Sequence, residues 1–309
     1  MFVFSFITMP FLIFYGPFEE VKRVVTGATW NTLTHHSITR FFLSEEKIKE
    51  ILSRSYAVDP TENGEALQIL NFGSKETEKI EYYDIKGSGF RGKLLVVHQP
   101  QSIVVGYSEN LPKSGSTTSE IAIKNGAIAA INAGGFIDEK SVGTGGNPMG
   151  FIIHDGEVVY NQCGDENIPQ DTVAFTDKGV LIVGKHSISK LKGYKVKEGV
   201  SFGPPLIVNG NPTITEGDGG WGIAPRTAIG QRKTGEVLML VIDGRNLGSL
   251  GATLKEVQDI LLKFGAVNAA NLDGGSSTTM FFNGKVVNRP SDKLGERTVP
   301  SVFMVVPNK

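Results

Sequence analysis

One cysteine in 309 residues, Cys163, is all the thiol chemistry this chain contains. A lone cysteine excludes an intramolecular disulfide, and with no CxxC pair and no Cys/His cluster a structural zinc is excluded as well. The compartment stays open, since a cysteine-poor chain suits either the cytosol or a bacterial surface. Charge of one sign is equally missing: 31 basic against 32 acidic side chains leave a net charge of −1. No overall field draws such a chain to nucleic acid or to an anionic bilayer, so any anion it holds is bound locally. The motifs G-x-x-x-x-G-K-[ST], G-x-S-x-G and H-E-x-x-H are absent, and Gly143-Thr144-Gly145-Gly146 lacks the βαβ frame of a dinucleotide fingerprint. ATP, NAD and zinc-protease chemistry drop away on these grounds. What is present is a globular composition, 40% hydrophobic and 20% charged, which excludes a disordered chain and a multi-span membrane protein. Glycine is abundant, 38 residues, so the backbone turns tightly and often.

The first 18 residues differ from the rest. Met1 to Phe18 carries no charged side chain and includes Phe2, Phe4, Phe6, Phe11, Phe14 and Phe18. As a helix it would rise about 27 Å, just under the roughly 30 Å of a bilayer's hydrocarbon core, with Pro10 kinking it. No Lys or Arg precedes it, and no A-x-A cleavage site follows. Residues 1–18 therefore read as an uncleaved membrane anchor, against the alternative of an apolar arm packed on the protein. Ser44-Glu45-Glu46 then opens an amphipathic helix with Ile48, Ile51, Leu52 and Tyr56 on one face, ending before Asp59-Pro60. His35 and His36 upstream have no partners at ligand spacing and read as polar surface histidines. Residues 60–90 are polar and weakly periodic, so 19–90 is expected to be a helical stalk and polar linker, and 91–309 the globular domain.

Beyond residue 91 the pattern is mostly short β-runs: 94–98, 103–107, 151–154, 157–160, 172–175, 180–183 and 206–208. Asp155-Gly156 and Asn283-Gly284 sit between such runs as hairpin turns. Two helices interrupt them, each opened by a capping box: Thr117-x-x-Glu120, and Thr253-x-x-Glu256 before Leu254, Val257, Ile260, Leu261 and Phe264. The expected fold is α+β, a mixed, strand-rich sheet carrying a few packed helices, preceded by the hydrophobic anchor and helical stalk.

Three buried-looking strands end in polar, glycine-rich turns. They are 127–131 into Asn132-Ala133-Gly134-Gly135-Phe136, 237–242 into Asp243-Gly244-Arg245, and 267–272 into Asp273-Gly274-Gly275-Ser276-Ser277. Strand ends position side chains, and glycines let a ligand approach backbone N–H groups. Asp243-Gly244 taken alone is equally an ordinary turn. Asp273 has more around it, with two glycines and four hydroxyls between apolar strands. Arg226 follows the glycine-rich 217–222 and offers a fork suited to phosphate or carboxylate, and Glu296-Arg297 adds a second guanidinium and a carboxylate. Either arginine could instead be a surface ion pair.

The ordered blocks Ile131–Phe136, Pro148-Met149-Gly150, Arg226–Gly230, Val241–Arg245, Gly251–Leu254, Asn271–Met280 and Glu296-Arg297 resemble the phosphodiester glycosidase family. The resemblance covers roughly residues 94–306, with one departure: Gly274-Gly275 runs straight into Ser276 where some members have a third glycine. It implies hydrolysis of a sugar-1-phosphodiester to free sugar and a phosphate monoester, on cell-surface glycosyl-phosphate material. A phosphate monoester, with a second pKa of about 6, departs more readily than an alcohol, so a strong general acid matters less. On this reading Asp273 and Asp243 act at the anomeric carbon as nucleophile or base in unassigned order, and Arg226 holds the phosphate. Asn132, Ser276 and Ser277 orient the sugar. Gly134, Gly135, Gly274 and Gly275 admit the ligand, with Arg245, Glu296 and Arg297 as second choices.

Two other readings compete. A phosphodiesterase could break the P–O bond of wall polymers, and a non-catalytic surface module could bind glycosyl-phosphate polymers without turnover. No cofactor is assigned, and Asp243 and Asp273 leave a divalent cation such as Ca²⁺ open, without an EF-hand loop. The expected partners are a sugar-phosphate or glycopolymer substrate and, through the N-terminal segment, a membrane, with no nucleic acid. That places the protein at the cell membrane with its catalytic domain extracellular.

Overall fold

A computed structural model describes residues 2–30, 36–53, 55–63, 70, 79–137 and 144–307. His35 and much of 60–79 lie outside them, as do the side chains of Phe2, Phe4, Phe6 and His36. Helices are α1 (Phe2–Tyr15), α2 (Glu19–Trp30), α3 (His36–Phe42), α4 (Glu45–Ser53), α5 (Thr118–Lys124), α6 (Ile188–Gly193) and α7 (Leu254–Lys263). Strands through the first half are β1 (Ile80–Gly87), β2 (Phe90–Val97), β3 (Ile103–Tyr107), β4 (Ser116–Thr117), β5 (Ala129–Asn132), β6 (Phe151–His154), β7 (Glu157–Asn161), β8 (Gln170–Thr176) and β9 (Leu181–His186). The rest are β10 (Val196–Val200), β11 (Pro205–Val208), β12 (Asn211–Pro212), β13 (Arg226–Arg232), β14 (Val237–Ile242), β15 (Ala266–Leu272), β16 (Met280–Phe282), β17 (Lys285–Val286), β18 (Thr298–Val299) and β19 (Ser301–Val305).

The main sheet runs β1-β2-β14-β13-β15-β11-β12, beside five-stranded sheets β7-β6-β10-β8-β9 and β17-β16-β5-β19-β3 and the small pair β18-β4. The class is α+β, but every ladder between these strands is antiparallel, where the sequence suggests a mixed sheet. The apolar runs that imitate parallel strands come from burial on both faces. In β14, Val237, Met239 and Val241 join one core cluster with Phe151, Phe175 and Phe303. Leu238, Leu240 and Ile242 point the other way, into the layer made with Leu254, Val257 and Leu261 of α7. A period of two thus splits one continuous run between two cores. Both capping boxes form, on α5 and α7, and both hairpin turns have their first central residue at positive φ, Asp155 at 48° and Asn283 at 49°.

The N-terminal region departs from expectation. α1 spans 14 residues and about 21 Å, and no helix among the described residues is long and apolar enough to cross a membrane. Instead α1 folds against its neighbours: the Phe14 ring stacks on Phe42 at 4.8 Å, and Phe14, Leu43, Ile48 and Leu52 form a buried cluster. Nor does the helical region stand off as a stalk. Arg23 Nε lies 3.7 Å from Asp218 Oδ1, Tyr56 bridges Gly219, and a Cβ on Gly27 would lie 2.7 Å from the Gly220 carbonyl oxygen. The 217–222 loop is therefore roofed by these helices. The 60–90 stretch read as linker contains β1, an edge strand paired along its whole length with β2. Its outward charges hid it: Asp84 pairs with Lys93, and Glu81 with His98 and Lys79.

Candidate active site

Antiparallel register brings the start of β13 and the ends of β14 and β15 to one edge of the main sheet. Arg226 pairs with Ile242 and Thr227 with Leu272, so Asp243 and Asp273, each the next residue on its strand, flank the start of β13. β5, in another sheet, is stapled to this edge by Asn132. Its Nδ2 donates to the Asp273 carbonyl at 2.5 Å, while Oδ1 accepts from Thr227 Oγ1 at 2.8 Å and from the Thr279 N–H at 3.1 Å. The Asp273 N–H donates to the Ala133 carbonyl at 3.0 Å. Residues 132, 226, 243 and 273 therefore meet at one place.

Their side chains do different work. Asn132 is fully buried and its amide is spent on the protein, so its sugar-orienting role gives way to holding two sheets together. Arg226 is buried too: Nε donates to Ala252 O at 3.0 Å, and Nη2 to Trp221 O at 3.0 Å and Gly222 O at 2.6 Å. Burial pulls its pKa down to about 10, with Asp218 opposing and Arg245 adding to the fall. Two of its three carbonyl partners lie in the 217–222 loop, which makes Arg226 a clamp on that loop, and the reading of it as the phosphate ligand loses its basis. Gly134 and Gly135 are likewise packing glycines. A Cβ on Gly135 would lie 2.7 Å from the Phe202 ring, and one on Gly134 3.0 Å from Ser301 Oγ, which also accepts the Gly134 N–H. Glu296 turns away to α5, accepting from the Ser119 N–H at 3.0 Å and from the Ser119 hydroxyl.

The open part of the site forms around the 274–277 turn. Gly275 adopts φ 61°, and its N–H donates to Pro225 O at 2.9 Å. A Cβ there would lie 3.4 Å from Arg245 Nη2, so the Arg245 fork faces this glycine directly. Arg297 approaches from the other loop: Nη1 donates to Ser276 Oγ at 2.9 Å, and the guanidinium sits 4.9 Å from the centre of the Phe136 ring. Although Arg245 reaches solvent, the protein around it and then the charge of Arg297 lower its pKa. Guanidinium groups on both sides of the 274–277 turn offer positive charge to an anion there.

Asp273 lies beside them. It is partly open to solvent, yet its Oδ2 is buried without a hydrogen-bond partner. Burial pushes the carboxyl up to about 6, against the opposing pull of the Ser277 hydroxyl, Arg297 and the Gly274 N–H. Asp243 is more occupied: its Oδ1 accepts from Asn288 Nδ2 at 3.1 Å and the Arg289 N–H at 2.9 Å. Among the described residues no group of three or more His, Cys, Asp or Glu could hold a metal ion, so the Ca²⁺ reading gains no donor set.

Phe136, Thr278 and Thr279 lie in the quoted blocks without a role of their own, and Asn288 lies outside them. Phe136 sits in a quoted block but carries no polar atom to draw attention. Thr278 and Thr279 hold buried hydroxyls without partners. Asn288 ties Asp243 to this loop, donating to Thr278 O at 3.1 Å and accepting from the Met280 N–H at 2.7 Å. Only the folded hairpin β16–β17 brings it there, so no local signal exists.

Comparison with known proteins adds independent findings. The sequence profile of the family described as phosphodiester glycosidase matches residues 125–306. The SPbeta prophage-derived uncharacterized protein YomE of Bacillus subtilis (strain 168) is 27% identical over 199 residues, covering 62% of this chain and 30% of that protein. N-acetylglucosamine-1-phosphodiester alpha-N-acetylglucosaminidase of Bos taurus is 30% identical over 200 residues, 58% of this chain and 36% of the enzyme. The chain thus spans about a third of the length of these curated relatives. Among solved structures, the zebrafish N-acetylglucosamine-1-phosphodiester alpha-N-acetylglucosaminidase catalytic domain, auto-inhibited by its pro-peptide, superposes with a TM-score of 0.66 at 23% identity. The match covers 81% of this chain and 91% of that one. A putative exported protein of Burkholderia pseudomallei gives a TM-score of 0.55 at 17% identity, covering 71% and 74%. These two structures speak for the fold.

Proposed function

Because the chain belongs to the phosphodiester glycosidase family, we propose that it hydrolyses a sugar-1-phosphodiester, releasing free sugar and a phosphate monoester. The observation that carries this reading is Asp273, its Oδ2 unpartnered and its carboxyl raised to about 6, at the head of the turn that Arg245 meets at Gly275 and Arg297 at Ser276. At neutral pH this carboxyl is mostly ionised but more basic than an ordinary aspartate, which suits attack on the anomeric carbon or removal of a proton from a water that attacks it. Arg245 and Arg297 take the phosphate, neutralising the charge it gains as the C–O bond breaks. The phosphate monoester leaves without a strong acid behind it, because its own second pKa is about 6. Ser276 and Ser277 hold Arg297 and Asp273 in place, and the free oxygen of Asp243 serves the water or a sugar hydroxyl. N-acetylglucosamine, the sugar in the names of the mammalian relatives, is the first substrate to try.

A cell-surface setting, with the catalytic domain extracellular and the N-terminal helices against the membrane, forms part of the proposal. It rests on the exposed Met9, Phe11, Leu12, Tyr15 and Phe18, and release of the protein by salt without detergent rejects it. Turnover of a panel of sugar-1-phosphodiesters by wild type and Asp273→Asn tests the chemistry. Product from wild type and none from the folded variant supports it, whereas full activity in the variant removes Asp273. Affinity for glycosyl-phosphate polymers with no product after long incubation would favour the binding-module reading.

A further inference from the structure

Two turns flank the Gly275 loop, and they are built alike. Asn246–Ser249 is closed by a backbone bridge, with Asn246 Oδ1 accepting the Gly248 N–H at 3.0 Å. Asp292–Gly295 is closed by another, with Asp292 Oδ1 accepting the Leu294 N–H at 3.0 Å. Each lifts one leucine into water: Leu247 is 110% exposed and Leu294 95%, the two most exposed large apolar side chains among the described residues. Leu250, beside the first turn, is 64% exposed.

A single exposed leucine is ordinary. Here both sit on turns fixed by side-chain hydrogen bonds, so the loop freedom that binding would otherwise remove is already given up. Both turns are also rooted on the anion site. Arg245 immediately precedes the first, and Arg297 follows the second by two residues; Ser291, at the base of the second, donates to the Gly275 carbonyl at 3.4 Å. Arg289 and Lys293 add exposed positive charge to the same loop. Guanidinium groups at the roots of two leucine-tipped turns match an amphiphile, with its anionic phosphate on the arginines and its hydrocarbon chain on the leucines.

We propose that Leu247 and Leu294 clamp a lipid hydrocarbon chain carried on the phosphate, so that the phosphodiester taken by this enzyme is a glycosyl phospholipid. The inference rests on the proposed sugar-1-phosphodiester reading and names the other half of that substrate. Covering the two leucines removes apolar surface from water, which corresponds to at least about tenfold in affinity.

The test is calorimetric binding of dodecyl phosphate, below its micelle concentration, and of methyl phosphate to the full chain and to the double variant Leu247→Ser/Leu294→Ser. Wild type is expected to bind dodecyl phosphate at least about tenfold more tightly than methyl phosphate. The double variant is expected to lose that preference while keeping its affinity for methyl phosphate and its melting temperature. Equal affinity for the two probes in wild type overturns the inference, as does a preference that survives in the double variant. Turnover of sugar-1-phosphodiesters without any chain-length preference counts against the lipid clamp alone. A chain-length preference in a protein that hydrolyses none of them supports the clamp and counts against hydrolysis alone.

Discussion

Asp273→Asn should abolish activity, and the fold should tolerate it better at pH 8 than at pH 4. The carboxyl lies at about 6 in the folded protein against an ordinary 3.8. Below 3.8 both folded and unfolded chains hold the proton, and the native state bears no cost. Between about 4 and 6 the unfolded chain releases its proton while the native one keeps it, so stability falls as pH rises and levels off above the folded value. In full burial that loss would be about 3 kcal/mol, and for a carboxyl partly open to water about 1–2 kcal/mol. Asparagine does not titrate, so the variant escapes the loss. Its amide, placed where Oδ2 has no partner, carries a cost of its own that is the same at both pH values. The quantity to measure is therefore the change in unfolding free energy on mutation at pH 8 minus that at pH 4, by urea titration. A difference of about 1–2 kcal/mol in favour of the variant at pH 8 is expected. A difference of zero, or one of opposite sign, would refute the raised carboxyl.

Three further outcomes follow from the same contacts. If the ionised Asp273 does the chemistry, kcat/KM falls on an acid limb centred near 6, and a profile flat between pH 5 and 8 contradicts it. Arg226→Ala leaves the carbonyls of Trp221 and Gly222 without their donor and the Ala252 carbonyl with the Ala224 N–H alone, lowering stability by about 3–5 kcal/mol in denaturant titration; a loss of affinity with unchanged stability would restore it as a phosphate ligand. Glu296→Gln keeps its contact with Ser119, so kcat/KM should hold within about twofold while stability drops by under about 1 kcal/mol.

Much of this architecture is legible in the sequence because its signals are local. The capping boxes at Thr117 and Thr253, the Asp155-Gly156 and Asn283-Gly284 turns and the alternation within β14 each follow from a handful of neighbouring residues. β1 was hidden by its own function as an edge: charged side chains guard its free side, and they read as linker. The N-terminal segment misleads for a related reason, since hydropathy cannot distinguish a helix that crosses a bilayer from one that buries Phe14 against Phe42. At the site, the strand-end positions of Asn132, Arg226, Asp243 and Asp273 were readable from their turns. Which arginines stand at the Gly275 turn was not. Arg226 is consumed by carbonyls of a loop that reaches it only in the folded chain, while Arg245 and Arg297 acquire their place beside Gly275 from two separate loops.

Hydrolysis of an N-acetylglucosamine-1-phosphodiester in ¹⁸O-labelled water tests the central claim most directly, because it reports which bond the site breaks. Label in the released sugar, none in the phosphate monoester, and loss of both products in Asp273→Asn are the predicted results. Label in the phosphate would mean that the P–O bond is cut and that Asp273 does not act at the anomeric carbon.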